Sequence, residues 1–121
     1  HPYCITMFGV VTEKPAIVME LMTLGSLYDY LARADVTMTW DDKLRLATNI
    51  AEAINHLHSS RPPIVHRDLK SPNVLLTRDA SGQVVAKVAD VGAGGALSLV
   101  DAFKERLVMN PVWLAPEIML K

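Results

Sequence analysis

The segment "HRDLKSPN", His66 to Asn73, restricts the fold of this chain more than any other. It gathers an imidazole, a guanidinium, a carboxylate, an ammonium, a hydroxyl and an amide between two apolar runs, Ile64–Val65 and Val74–Leu76. Burying one neutral polar group without a partner costs roughly 2–7 kcal/mol, and a charge costs more. The apolar flanks have the makings of two buried strands. A chain normally sends such polar groups to the surface, so their place between these flanks asks for a reason.

The rest of the chain supplies a scaffold for that segment. "YCITMFGVV" and "AIVMEL" read as strands separated by a turn at "TEKP", because Val, Ile and Phe favour extended backbone and Lys14–Pro15 interrupts it. "SLYDYLAR" reads as a short helix capped by Ser26 with Asp29 three residues on. "TMTWDDKLRLATNIAEAINHLHS" predicts a long helix with Thr39 and Asp42 as its capping pair. Its apolar repeat is Ala47, Ile50, Ala51, Ile54, Leu57 and His58, and Pro62–Pro63 stops it. Short extended pieces follow, "IVH", "NVLLT" and "VVAKVAD", the last two joined through "RDASGQ" as a hairpin. Periodicity then fades from Gly92 to Asn110, a length that in a compact domain points to a functional loop. The order of elements is that of an α+β fold.

Composition narrows the function. Half of the 121 residues are apolar and the formal net charge is −1, without the basic excess of a nucleic-acid binder. No run approaches the ~18 apolar residues of a membrane helix. The single cysteine, Cys4, excludes an internal disulfide framework and fits a reducing compartment, hence a cytoplasmic location. The start, "HPYCIT", has neither an initiator Met nor a charged leader, so the chain is expected to begin inside a longer protein.

Two motif readings fail on spacing. Gly92 and Gly94 follow a strand as in a dinucleotide fingerprint, but Leu97 occupies the third glycine position. His56 and His58 are two apart on a helix, where ligands on one face need three or four. By contrast, Asp68, Lys70 and Asn73 fall in one loop within reach of one centre, and the set suits phosphoryl transfer. A carboxylate can accept the proton of a hydroxyl, an amine can neutralise the moving phosphoryl group, and an amide oxygen can help hold magnesium. Asp90, at the end of "KVAD", adds a second hard oxygen ligand.

Here the chain resembles the eukaryotic protein kinases. His66–Asn73 fits the family's catalytic loop, Asp90-Val91-Gly92 stands at its D-F-G position, and Ala115-Pro116-Glu117 matches A-P-E, in the family's order. The resemblance covers the whole chain and implies part of a kinase fold. Residues 1–19 would end the small lobe, 20–25 form the hinge, and 26–121 run through the large lobe to A-P-E. It implies ATP and Mg2+ as cofactors and a protein as substrate, with Asp68 as catalytic base and Lys70 as phosphate contact. Asn73 and Asp90 would be the magnesium ligands. The hinge would offer the Glu20 carbonyl and both main-chain groups of Met22 to adenine, with Met19 as gatekeeper and core residue at once. Leu75 would form the floor beneath the base. Ser26 matches a ribose-contacting position as well as a helix cap. Arg67 would meet either an activation-loop phosphate or a carboxylate. His66 would be structural, beneath Asp90, and Glu117 would pair with an arginine elsewhere in the large lobe.

Lys70 after "HRDL" resembles serine/threonine kinases. "HRDLKSPNVLL", "GSLYDYL" and Trp113 before "LAPE" are most similar to the tyrosine-kinase-like group of Raf and mixed-lineage relatives. Val91 departs from the pattern by replacing a phenylalanine, Asn110 by replacing a threonine, and Met109 by standing where glycine is common. Ser98 is the sole hydroxyl side chain between Asp90 and Glu117, so an upstream kinase acting on the loop would modify it, with Arg67 as its partner. The glycine-rich loop and small-lobe lysine of the family would precede His1, so the 121 residues alone are expected to be inactive and to expose apolar faces. Two alternatives remain: a pseudokinase that binds or scaffolds, and a small-molecule phosphotransferase of related fold.

Overall fold

The computed structural model describes residues 1–91 and 111–119. Two compact units divide the chain, His1–Val91 and Gly92–Lys121.

The first unit opens with an antiparallel hairpin, β1 (Met7–Val11) and β2 (Ala16–Met19), with Met7 opposite Met19 and Val11 opposite Ala16. Its apolar residues are exposed, among them Phe8, Val10, Ile17 and Val18, as the sequence led us to expect. Met19, expected to pack in a core, is 41% exposed because no described element covers β2. After a turn closed by Gly25 N–H on Met22 C=O, where Gly25 takes a φ of +76°, the chain makes a two-residue strand, β3 (Gly25–Ser26). Helix α1 (Leu27–Ala32) starts there, capped as expected: Ser26 Oγ accepts Asp29 N–H at 3.1 Å.

Helix α2 (Trp40–His58) begins with the full capping box. Thr39 Oγ1 accepts Asp42 N–H at 3.1 Å, while Asp42 Oδ2 accepts Thr39 N–H at 3.0 Å. Each satisfies a donor that the helix itself cannot. Thr39→Ala is expected to lower stability by about 1 kcal/mol in denaturant melts, and a change near zero would show the box to be idle. The buried face of α2 is Leu46, Asn49, Ala53 and Leu57; of the repeat read from the sequence, Leu57 is buried and Ile50 packs against the core. Ala47, Ala51 and His58 are exposed on a second apolar face. A polar residue at 49 hid the true stripe.

The segment Ile64–His66 is not a strand. Ile64 N–H returns to Leu57 C=O at 2.9 Å, and Val65 is exposed, so only one of the two apolar flanks enters the core. That flank, β4 (Val74–Arg78), is the middle of a three-stranded sheet between β3 and β5 (Val84–Val88). Asp79 closes the β4–β5 hairpin: its Oδ1 accepts the N–H groups of Ser81 and Gln83, and Gly82 takes the positive φ of 83° that the turn requires. Tyr30, Leu46, Val74, Leu76 and Ala86 form the core between the sheet and the helices.

Groups on the outer side of β5 are met by α2 and by the chain start. Arg45 Nε donates to Val84 C=O, Asn49 Oδ1 accepts Ala86 N–H, and Val88 exchanges bonds with Tyr3 and Ile5. A buried amide in a helix is thus paired with a strand donor that β4 cannot reach. In the second unit the described residues form a 3-10 turn, Pro111–Trp113, and a short helix, α3 (Pro116–Met119).

Candidate active site

The loop before β4 ends in a 3-10 turn, Ser71–Asn73, in which Asn73 N–H donates to Lys70 C=O at 2.9 Å. Pro72 suits such a turn, since its ring presets φ and it lacks the N–H. The turn folds residues 70 and 73 back on residue 68. Lys70 Nζ lies 2.8 Å from Asp68 Oδ2, and Asn73 Nδ2 donates to the same oxygen at 3.0 Å and to the Asp68 main-chain carbonyl at 2.8 Å. Asp68 Oδ1 stays outside these contacts. Both amide protons of Asn73 are used, which fixes its Oδ1 as the atom left for a cation. The Lys70 and Asp68 side chains are 12% and 20% exposed, so the pair is only lightly screened by solvent.

His66 connects this loop to Asp90. The ring is 3% exposed; its Nδ1 accepts Asp68 N–H at 3.3 Å, so the proton sits on Nε2, which donates to Ala89 C=O at 2.8 Å. Ala89 N–H in turn donates to Asn73 C=O at 2.9 Å. The residue before Asp90 is therefore held through both its N–H and its C=O by the loop that carries Asp68 and Asn73. With both ring nitrogens engaged, His66 spans the space between the loop and the residue before Asp90. Arg67 and Asp90 themselves take φ values of 65° and 61°, a left-handed conformation that strains residues with a Cβ by about 1–3 kcal/mol. Such strain persists where surrounding bonds over-determine the backbone, and it falls here on two of the residues singled out from the sequence.

A second group of candidates lies in a row across the three-stranded sheet. Ser26 pairs with Leu75, and Leu75 with Lys87. Ser26 Oγ is engaged in the helix cap, donating to Asp29 Oδ2 at 2.6 Å. Leu75 is half-buried, and the Met22 side chain is buried while its carbonyl accepts Gly25 N–H. Lys87 reaches Glu20, with Nζ 2.9 and 2.8 Å from the two carboxylate oxygens. Partial burial opposes ionisation of Glu20, but the bonds from Lys87 and Thr6 outweigh it and hold the carboxyl below its ordinary range. Arg67 is exposed, and Ser98, Met109 and Asn110 lie outside the described residues. Glu117 lies exposed in α3.

Sequence reasoning missed Lys87, whose partner is 67 positions away, and the bridging role of Ala89. The "K" of "KVAD" was visible, but nothing local identifies the carboxylate it meets. Among the described residues no group of three or more His, Cys, Asp or Glu side chains could hold a metal. A cation that keeps most of its waters and shares phosphate oxygens, as magnesium does, needs only one or two protein ligands, and Asn73 and Asp90 are the residues that could supply them. The arrangement can orient a hydroxyl on a carboxylate, present an ammonium beside it and hold such a cation close by.

The sequence matches the protein tyrosine and serine/threonine kinase family over residues 1–121, and the chain belongs to that family. It is 43% identical over 98% of its length to the probable serine/threonine-protein kinase roco5 of Dictyostelium discoideum. It is 41% identical over its whole length to the probable serine/threonine-protein kinase pats1 of the same organism. With the serine/threonine-protein kinase CTR1 of Arabidopsis thaliana it shares 36% identity over 98% of its length. The chain spans 4% of the first two relatives and 14% of the third. The α+β architecture expected from the sequence is that of a partial kinase domain.

Proposed function

We propose that this chain carries the catalytic loop of a protein kinase that transfers the γ-phosphoryl of ATP to serine or threonine hydroxyls of a protein. The observation that carries the reading is the Asp68 carboxylate, held by Lys70 and Asn73, with Asp90 tied to the same loop through Ala89. Asp68 Oδ1 orients the substrate hydroxyl and accepts its proton. Lys70, drawn from Asp68 toward the nucleotide, neutralises the moving phosphoryl group. Mg2+, when bound through Asn73 Oδ1 and Asp90, supplies charge neutralisation at the phosphates.

Residues 1–19 are assigned to the end of a small lobe, 20–25 to the hinge and 26–121 to the large lobe. In that frame the Glu20 carbonyl and Met22 N–H and C=O face adenine, Met19 guards the pocket, Leu75 lies under the base, and Ser26 stands at the ribose end. The site is assigned to the tyrosine-kinase-like group on "HRDLKSPNVLL" and "LAPE", supported by likeness to CTR1. An upstream kinase acting on Ser98, read by Arg67, and a cytoplasmic location belong to the same reading. No helix among the described residues is long and apolar enough to cross a membrane.

The test is transfer of labelled γ-phosphate from MgATP to a protein substrate by the full-length protein. Phosphoserine or phosphothreonine should form at about 1–100 s⁻¹, and magnesium removal should abolish it. Nucleotide binding without transfer would instead favour the second reading, a scaffolding pseudokinase, which rests on Val91 at the usual phenylalanine position and Asn110 at the usual threonine position.

A further inference from the structure

Thr6 and Glu20 face each other just beyond the β1–β2 ladder. In an antiparallel sheet such a pair exchanges two main-chain bonds. Glu20 N–H does donate to Thr6 C=O at 3.0 Å, but Thr6 N–H goes to Glu20 Oε1 at 2.7 Å. The side chain has replaced the carbonyl of its own residue as the ladder's acceptor. Among the described residues none donates a main-chain hydrogen bond to that carbonyl. Lys87 then fixes the carboxylate through both oxygens, with the two side chains 22% and 19% exposed. Lys87 is also the cross-strand neighbour of Leu75 and lies three residues before Asp90.

We infer that the Glu20 carboxylate, held by Lys87, is a positioning group that sets nucleotide-base selectivity by releasing the Glu20 main-chain carbonyl from the sheet toward the base. The inference rests on the proposed assignment of residues 20–25 to nucleotide recognition. A carbonyl held outward accepts a hydrogen bond from the 6-amino group of adenine. Guanine would set its 6-oxo oxygen against it, acceptor to acceptor, leaving both unsatisfied. If the carboxylate is unclamped, Thr6 N–H is free to recapture the carbonyl. Adenine then loses a partner, while guanine loses a repulsion.

The experiment measures KM for MgATP and MgGTP, and kcat, in the full-length protein and its Lys87→Met, Glu20→Gln and Lys87→Arg variants. Lys87→Met should raise KM for ATP about tenfold and leave KM for GTP unchanged or lower. The preference for ATP should fall by at least that factor with kcat within about twofold. Glu20→Gln, equal in shape but without charge for Lys87, should move the ratio the same way and carries the test if Lys87→Met fails to fold. Lys87→Arg should keep the preference within about threefold of the parent. A merely structural pair would weaken both nucleotides alike, so parallel rises in the two KM values, or an unchanged ratio, overturn the proposal while leaving phosphoryl transfer intact. A parent protein that binds neither nucleotide overturns the phosphotransfer reading and this proposal together.

Discussion

Asp68→Asn in the full-length protein is expected to lower kcat by about 10²–10⁴ with little change in affinity for MgATP. The substitution keeps the shape of the side chain and an oxygen for Lys70 and Asn73, which share Asp68 Oδ2 in the structure. It removes the negative charge and the basicity of the oxygen that would take the hydroxyl proton. Nucleotide contacts are assigned to other residues, so binding measured by calorimetry should stay within a few-fold. Loss of turnover with retained binding is the signature of an interaction made in the transition state. An unchanged rate of protein phosphorylation would remove Asp68 from the chemistry and with it the central assignment.

Leu76→Ala is expected to cost about 2–5 kcal/mol of stability, enough to unfold a marginal domain. Leu76 has no exposed surface, lies on the middle strand and packs among Tyr30, Leu46, Val74 and Ala86. Strands on both sides and helices above prevent collapse into the space left behind, so the cavity should persist. The same change at Leu69, 43% exposed, should cost far less. Urea unfolding of the two variants checks the contrast; equal losses would mean that the sheet–helix core does not govern stability.

The proximity of the candidate residues was legible in the sequence wherever chemistry fixes residue type and spacing together. A carboxylate, an amine and an amide at positions 68, 70 and 73 announce their proximity because a single turn joins them. Capping was legible for the same reason, since Ser26 with Asp29 and Thr39 with Asp42 act across three residues. What could not be read were contacts between distant segments. Asn49 interrupts the apolar stripe of α2 and pairs with Ala86, 37 positions on, and so the stripe read from the sequence was displaced, sharing Leu57 and Ile50 with the true one. Glu20 and Lys87 are ordinary surface residue types until folding brings them together. Ile64 and Val65 have strand-forming side chains, yet the return of Ile64 N–H to the end of α2 takes them out of any ladder. Local preference yields to tertiary bonding at that point.

The way α2 and the chain start occupy β5 has a bearing on self-association. Strand sides that offer unused N–H and C=O groups act as templates on which another molecule can zip. Here Arg45 has claimed the carbonyl of Val84, Asn49 the N–H of Ala86, and the Tyr3–Ile5 segment both groups of Val88. A second molecule seeking to extend this sheet would find most of that flank taken.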